Sequence, residues 1–231
     1  MHDLDQNGFV LIPAVIAKPQ IASMIDNLTA LESHRAIREK SGATYAVRRL
    51  CELSPAVRQL STSAAIRALI EPILGPAARV VRGLLFDKTA AANWKVPWHQ
   101  DLTIAVKERR DAPGFGPWSI KADITHVQPP LDVLEQMLTI RLHLDDCGPD
   151  NGPLRVLPGS HKRGVINAST IAQLRQQTAE TLCTLPAGGA LVMRPLLLHA
   201  SAPATSPGHR RVIHLEFAAN DLPDGLQWHE S

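Results

Sequence analysis

Very little in this chain suggests covalent cross-links or a membrane. It has three cysteines in 231 residues, Cys51, Cys147 and Cys183, widely spaced and with no Cys-x-x-Cys pair. An odd, scattered set excludes a disulfide framework and a thiolate zinc site. The N-terminal Met-His-Asp-Leu-Asp-Gln lacks the basic-then-apolar order of a secretory signal. No apolar run reaches the ~20 residues that span a bilayer. The net charge is only +2, too small an excess to favour a nucleic acid or an anionic lipid surface. Internal repeats and low-complexity tracts are missing as well. The expectation is a cytoplasmic protein, monomer or homodimer, acting on a small molecule, with no nucleic-acid or membrane partner.

What is present is ordinary globular composition, 45% hydrophobic and 20% charged, at a length that fits a single domain over residues 1–231. Gly8–Ile16 is short, apolar and β-branched, the pattern of a strand. Ile21, Met24, Ile25 and Leu28 fall at helical spacing behind Pro19, and Ala65, Ile66, Leu69, Ile70 and Ile73 repeat that spacing before Gly75-Pro76. Residues 33–49 are polar and ambiguous. From Arg79 onward the pattern turns to strands: Arg79–Lys88, Met137–Asp146, Leu154–Leu157, Thr181–Leu185, Ala190–Leu198 and Arg210–Ala219, separated by Gly and Pro turns. Helices first and short strands later indicate a sandwich or barrel with helices on one outer face.

Residues 102–136, with Pro113, Gly114, Gly116, Pro117, Pro129 and Pro130, read as a long irregular insertion and a candidate lid. The basic run Lys107–Arg110 within it reads as a solvated face.

Side chains two apart on a strand share a face. Thr139, Arg141, His143 and Asp145 therefore face away from Ile140, Leu142 and Leu144, and Arg210, Val212, His214 and Glu216 face away from Ile213, Leu215 and Phe217. Apolar faces can pack under the helices while polar faces line a wet interior. The same rule makes His99-Gln100-Asp101 a candidate metal site, because an imidazole and a carboxylate converge from one strand. A distant histidine would complete a two-histidine, one-carboxylate face that leaves about three positions of an octahedral iron(II) open. Ten histidines make such triplets common. His143-Leu144-Asp145 and His214-Leu215-Glu216 have the same form, and spacing alone does not choose among them.

Longer stretches do. Asp87-Lys88, Asn93-Trp94-Lys95-Val96-Pro97-Trp98-His99-Gln100-Asp101, Leu142–Asp146, Asn151-Gly152-Pro153-Leu154, Leu157-Pro158-Gly159-Ser160-His161-Lys162, His199-Ala200-Ser201 and Arg210 together resemble the phytanoyl-CoA dioxygenase family of iron(II)/2-oxoglutarate-dependent oxygenases. The resemblance runs over most of the chain, and the Asn-Gly-Pro-Leu to Pro-Gly-Ser-His block is its most specific part. It implies a mostly β (α+β) double-stranded β-helix, a cupin-like jelly roll, with N-terminal helices on the outer face of one sheet. In that family the metal-binding His-x-Asp stands several tens of residues before the Pro-Gly-Ser-His block, which selects His99 and Asp101 over His143 and Asp145, and the distal ligand matches His199. His161 then corresponds to a turn residue.

Arg210 follows His199 by 11 residues, the family's spacing for the arginine that holds the distal carboxylate of 2-oxoglutarate, and Ser201 matches the hydroxyl beside it. A guanidinium fork suits that task because it grips a carboxylate with two parallel bonds and stays charged. Arg211 faces the other way. Lys88 is a further candidate for cosubstrate binding, and Arg141, His143, Trp118 and Arg48 are candidates for substrate binding. The implied cofactors are Fe(II), 2-oxoglutarate and O2. The implied reaction hydroxylates an aliphatic C–H with release of succinate and carbon dioxide, and no catalytic side chain is expected beyond the metal centre. Asp101 favours hydroxylation, because relatives that halogenate lack this carboxylate. A cupin-like metalloenzyme that does not use 2-oxoglutarate and a non-catalytic binding module are the alternatives.

Overall fold

The computed structural model describes residues 2–31, 37–40 and 43–230, with the backbone alone at 37–40 and 43–45. In chain order the elements are α1 (His2–Asn7), β1 (Phe9–Ile12), α2 (Lys18–Thr29), β2 (Ile37–Lys40), β3 (Ala43–Arg48), α3 (Leu50–Leu53), α4 (Pro55–Ser61), α5 (Ala64–Leu74), β4 (Arg79–Lys88), β5 (Val96–His99), β6 (Ile104–Val106), β7 (Trp118–Lys121), β8 (Ile124–Val127), α6 (Leu131–Glu135), β9 (Met137–His143), β10 (Leu154–Val156), α7 (Ala168–Gln177), β11 (Thr181–Cys183), β12 (Ala190–Met193), β13 (His199–Ser201) and β14 (Arg210–Ala218). Two facing sheets make a jelly roll. One has seven strands in the order β1-β12-β9-β14-β4-β3-β2, and the other has four, β11-β10-β13-β5. The ambiguous stretch 33–49 contributes β2 and β3, while residues 32–36 and 41–42 lie outside the described residues.

The helices form where the spacing places them. In α2, Pro19 occupies the first turn and the Gln20 side chain accepts the Ala17 N–H, which satisfies one of the donors a helix start leaves open. Ser63 caps α5, and Gly75 ends it at φ +82°, a backbone conformation glycine adopts without strain. Both helices lay their apolar stripes on the outer face of the large sheet. Ile21, Met24, Leu28, Ile66 and Ile70 join Leu138, Ile140, Leu142, Ile213, Leu215 and Phe217 in one buried cluster. Each such side chain contributes roughly 1.5–3 kcal/mol on leaving water. Burying the odd residues of β14 on this side turns its even residues toward the space between the sheets.

Two expectations are corrected. Ala190–Leu198 is not one strand. The chain leaves β12 after Met193, crosses between the sheets through 194–198, and His199 opens the separate strand β13 on the small sheet. Pro195 has no N–H to continue a ladder at that point.

The second correction concerns residues 102–136, which are not irregular. They fold into a third sheet, β6-β8-β7, followed by α6. The C-terminal segment clamps it: Val106 bridges Trp228, and the Lys107 and His229 N–H groups donate to Gln227 and Ala105 carbonyls. Ile104, Val106 and Val127 pack with Leu222, Leu226 and Trp228. Pro113, Gly114, Gly116 and Pro117 sit in the loop that joins β6 to β7, Pro129 and Pro130 lead into α6, and the strands between carry the ladder. No helix among the described residues is long and apolar enough to cross a membrane.

Candidate metal centre

β5 and β13 pair so that His99 stands opposite His199. Their rings lie 4.2 Å apart, centre to centre. Each ring is turned by its own strand: His99 Nδ1 lies 2.8 Å from the Pro97 carbonyl and His199 Nδ1 lies 2.9 Å from that of Leu197. A carbonyl only accepts, so Nδ1 is the donor in both rings and Nε2 is the atom left to face the cavity. Those two nitrogens sit 3.7 and 3.8 Å from the two Asp101 oxygens. His99, Asp101 and His199 are the one set of His, Cys, Asp or Glu side chains among the described residues with donor atoms close enough to share a metal ion, all within 4.8 Å.

The donor chemistry fits a divalent ion. Asp101 Oδ2 is buried and accepts no hydrogen bond, an expensive arrangement for an ionised carboxylate unless a cation faces it. Burial pushes the Asp101 carboxyl up, but His199, His214, His99 and Arg82 outweigh it and hold it at about 2. Burial takes the His199 imidazole down to about 4, against the opposing pull of Asp101. The centre at neutral pH is thus a carboxylate with a buried neutral imidazole, ready to bind metal without releasing a proton from either.

The other two triplets are used differently. Asp145 leaves the His143 face and receives Arg211 as a fork, with Nε–Oδ2 at 2.9 Å and Nη2–Oδ1 at 2.6 Å. Glu216 is bonded to Arg82 and His214. Arg211 is thereby committed to the outer surface, and its neighbour Arg210 is 2% exposed on the inner face.

A cavity of about 270 Å³ runs between the sheets, and its lining includes the triad together with Arg82, Phe86, Trp94, Arg141, Ser201, Arg210, His214 and Glu216. At one end, Arg210 pairs in register with Lys88. The Lys88 ammonium, fully buried, donates to Ser201 Oγ (2.9 Å) and the Ala202 carbonyl (2.7 Å). Burial, with the Arg210 and Arg141 charges, takes its pKa down to about 7. Ser201 Oγ and Arg210 Nη1 both donate to the Gly152 carbonyl. A side chain at Gly152 would come within 2.7 Å of the Ala202 oxygen and 3.1 Å of Lys88 Nζ, at φ +60°. That explains the glycine of the Asn-Gly-Pro-Leu stretch.

Of the substrate candidates, Arg141 lines the cavity. Arg48 pairs with Leu84 and so lies on the cavity-facing side of β4. His143 is buried one step along β9, with its pKa pushed down to about 3 by burial and the two neighbouring arginines. Trp118 is not part of the lining. It packs on the third sheet's apolar cluster, with the Arg109 guanidinium 5.5 Å from its ring. His161 is a turn residue pressed against Gly8.

Sequence reasoning missed Gln100. Between the two ligands of β5 and the turn beyond, its amide donates to Gly164 and Leu196 carbonyls and accepts the Ile166 N–H, at 2.7–2.8 Å. A neutral amide between two ligands on the opposite strand face was the available signal. Ser160 was likewise unassigned: its hydroxyl donates to the Leu157 carbonyl and accepts the Leu198 N–H.

A jelly roll with two histidines on adjacent inner strands and a carboxylate just beyond one of them defines a mononuclear metalloprotein of the cupin-like kind. The chain belongs to the phytanoyl-CoA dioxygenase (PhyH) family, whose sequence pattern matches residues 4–212. It is 21% identical to L-proline trans-4-hydroxylase of Streptomyces griseoviridis, over 92% of this chain and 82% of that protein. Among solved structures it is similar to EctD from S. alaskensis with bound Fe (TM-score 0.75, 20% identity, 96% of this chain and 76% of that one). It is also similar to the epimerase SnoN in complex with Fe3+, alpha ketoglutarate and a nogalamycin compound (TM-score 0.69, 18% identity, 97% and 89%).

Proposed function

We propose that this protein is an Fe(II)- and 2-oxoglutarate-dependent oxygenase that hydroxylates an aliphatic C–H of a small organic substrate. The carrying observation is the convergence of His99, Asp101 and His199 on the same cavity that Arg210 enters from the facing sheet. When bound, iron with 2-oxoglutarate and O2 supplies the oxidant for the C–H bond, and 2-oxoglutarate ends as succinate and carbon dioxide. The chain supplies position and charge. His99, Asp101 and His199 would hold the metal, and with three protein ligands would leave room for the cosubstrate and oxygen. Arg210 has no carboxylate within ion-pair distance among the described residues, and its buried Nε has no partner, so its fork is available to the distal carboxylate of the cosubstrate. Ser201 and Lys88 add donors beside it. The anion would in turn favour the protonated form of Lys88. Leu84, Phe86, Val96 and Leu154 line the rest with apolar surface and keep water from the reacting atoms. The buried, unpaired Cys51, Cys147 and Cys183 fit the reducing compartment we assign, the cytoplasm.

The test supplies iron(II), 2-oxoglutarate and a metabolite pool, and follows succinate together with any metabolite that gains one oxygen. Succinate that depends on iron and is lost in His199→Ala is the expected result. No succinate from the iron-loaded wild-type protein with any pool would end this reading.

A further inference from the structure

Most charges that line the cavity have an assignment. Asp101 belongs to the metal. Glu216 Oε1 receives Arg82 Nη1 at 3.0 Å. Arg210 takes the distal cosubstrate carboxylate under the reading above. Arg141 remains. It is 7% exposed and lines the same cavity as the triad. It has no carboxylate within 4.0 Å among the described residues, its Nε is buried without a partner, and its Nη1 bonds to His214 Nδ1 at 2.9 Å.

That bond fixes more than one group. Arginine only donates, so His214 Nδ1 accepts and its proton sits on Nε2, 3.1 Å from Glu216 Oε1. Arg82, Glu216, His214 and Arg141 therefore form one continuous chain across three adjacent strands, β4, β14 and β9. The guanidinium also packs 5.5 Å from the Phe86 ring centre. Held on one side by the His214 ring and on its face by an aromatic ring, Arg141 keeps an Nε–H edge turned to no protein acceptor. A buried cation with an unmet donor costs stability unless a ligand meets it, and the side edge of a guanidinium is the shape that grips a carboxylate.

We infer that Arg141 is a carboxylate receptor, distinct from Arg210, held in position by the His214–Glu216–Arg82 chain. Two molecules can bring that group: the substrate, which would then be a carboxylic acid, or the metal-proximal carboxylate of the cosubstrate. Burial and the Arg210 charge lower the Arg141 pKa to about 10, which leaves it protonated at neutral pH. The inference rests on the oxygenase reading only for assigning the other carboxylate to Arg210.

Anaerobic calorimetry on the Fe(II)-loaded full chain tests it, using wild type, Arg141→Met (apolar stem kept, charge removed) and Arg141→Lys. 2-Oxoglutarate is titrated first; benzoate and its neutral isostere benzamide are then titrated into the 2-oxoglutarate-saturated protein. The expected result for a substrate acid is unchanged 2-oxoglutarate affinity, preference for benzoate over benzamide, and a loss of benzoate affinity of roughly tenfold or more in Arg141→Met, partly restored by Lys. A comparable loss of 2-oxoglutarate affinity in Arg141→Met, again eased by Lys, assigns the carboxylate to the cosubstrate. If Arg141→Met, with wild-type thermal stability, weakens neither ligand, or if benzamide matches benzoate and 2-oxoglutarate is unaffected, Arg141 is no carboxylate receptor. Succinate formation by the wild-type protein is scored separately, so a failure here is distinguishable from a failure of the oxygenase reading.

Discussion

The two sheets hold their functional side chains by different means. The large sheet carries its charges on long strands: β4 and β14 run together over nine paired residues and set Arg210 beside Lys88, and the β14–β9 ladder sets His214 beside Arg141. The small sheet carries two metal ligands on strands of three and four residues, too short for ladder bonds to fix them. There, side-chain to backbone bonds from Gln100 and Ser160 supply the missing constraint. A site can thus be built from periodic order on one wall and from individually chosen hydrogen bonds on the other.

The difference is open to direct attack. The largest effect belongs to the small sheet: His99→Ala, Asp101→Ala and His199→Ala should each abolish iron(II) binding, measured as metal per chain after dialysis. If His143→Ala and Asp145→Ala empty the site while those three do not, the small wall is not the metal wall.

On the large sheet, Arg210→Ala should lose 2-oxoglutarate affinity by on the order of 2–5 kcal/mol, roughly tens to thousands-fold. Arg211→Ala, which faces outward onto Asp145, should bind it like wild type. Equal titrations for Arg210→Ala and wild type would remove Arg210 from the cosubstrate.

Gln100→Leu probes the side-chain bracing. It strands the Ile166 N–H and the carbonyls of Gly164 and Leu196, and should cost roughly 2–4 kcal/mol in urea unfolding, with weaker iron binding as a second readout. Unchanged stability and unchanged iron affinity would mean that the short strands hold themselves.

The last effect, small over any one pH unit, is a pH slope. The Lys88 pKa is about 7 in the folded chain and about 10.4 when unfolded. Between those values the unfolded chain binds a proton the folded one has released, so stability rises with pH. The gain is at most about 1.4 kcal/mol per pH unit and ends near the unfolded value. Below pH 7 both states are protonated and the slope vanishes. Urea unfolding from pH 6 to 10 should show this slope in the ligand-free wild type and lose it in Lys88→Met. Parallel curves would show that Lys88 does not titrate in that window.

The same contrast decides what was legible in the sequence. β4 is read residue for residue from Arg79 to Lys88, and β14 to within its last residue, because alternation over nine or ten positions is a long signal. The break inside Ala190–Leu198 was not, because Leu196, Leu197 and Leu198 continue the apolar run while the chain changes sheets. The third sheet was lost among its glycines and prolines, since β6 spans only Ile104–Val106. At the site, the histidines and carboxylates were visible as residue types, and resemblance chose among three equivalent triplets. Gln100 showed only as a neutral amide between two ligands, and its bonding role exists only when 164, 166 and 196 come together in space.

The crossover at 194–198 has one more consequence. The Asp101 N–H is bonded to the Pro195 carbonyl, Gln100 to that of Leu196, His199 Nδ1 to that of Leu197, and the Leu198 N–H to Ser160. Every ligand-bearing stretch is fastened, directly or through one neighbour, to the same few residues, and His99 is locked to His199 by register. The relative placement of the three donor side chains is therefore set within the small wall and the crossover. A protein engineer who wished to transplant this centre would have to move 97–101 and 195–201 as one piece, and could then redraw the opposite wall for a new cargo without retuning the ion.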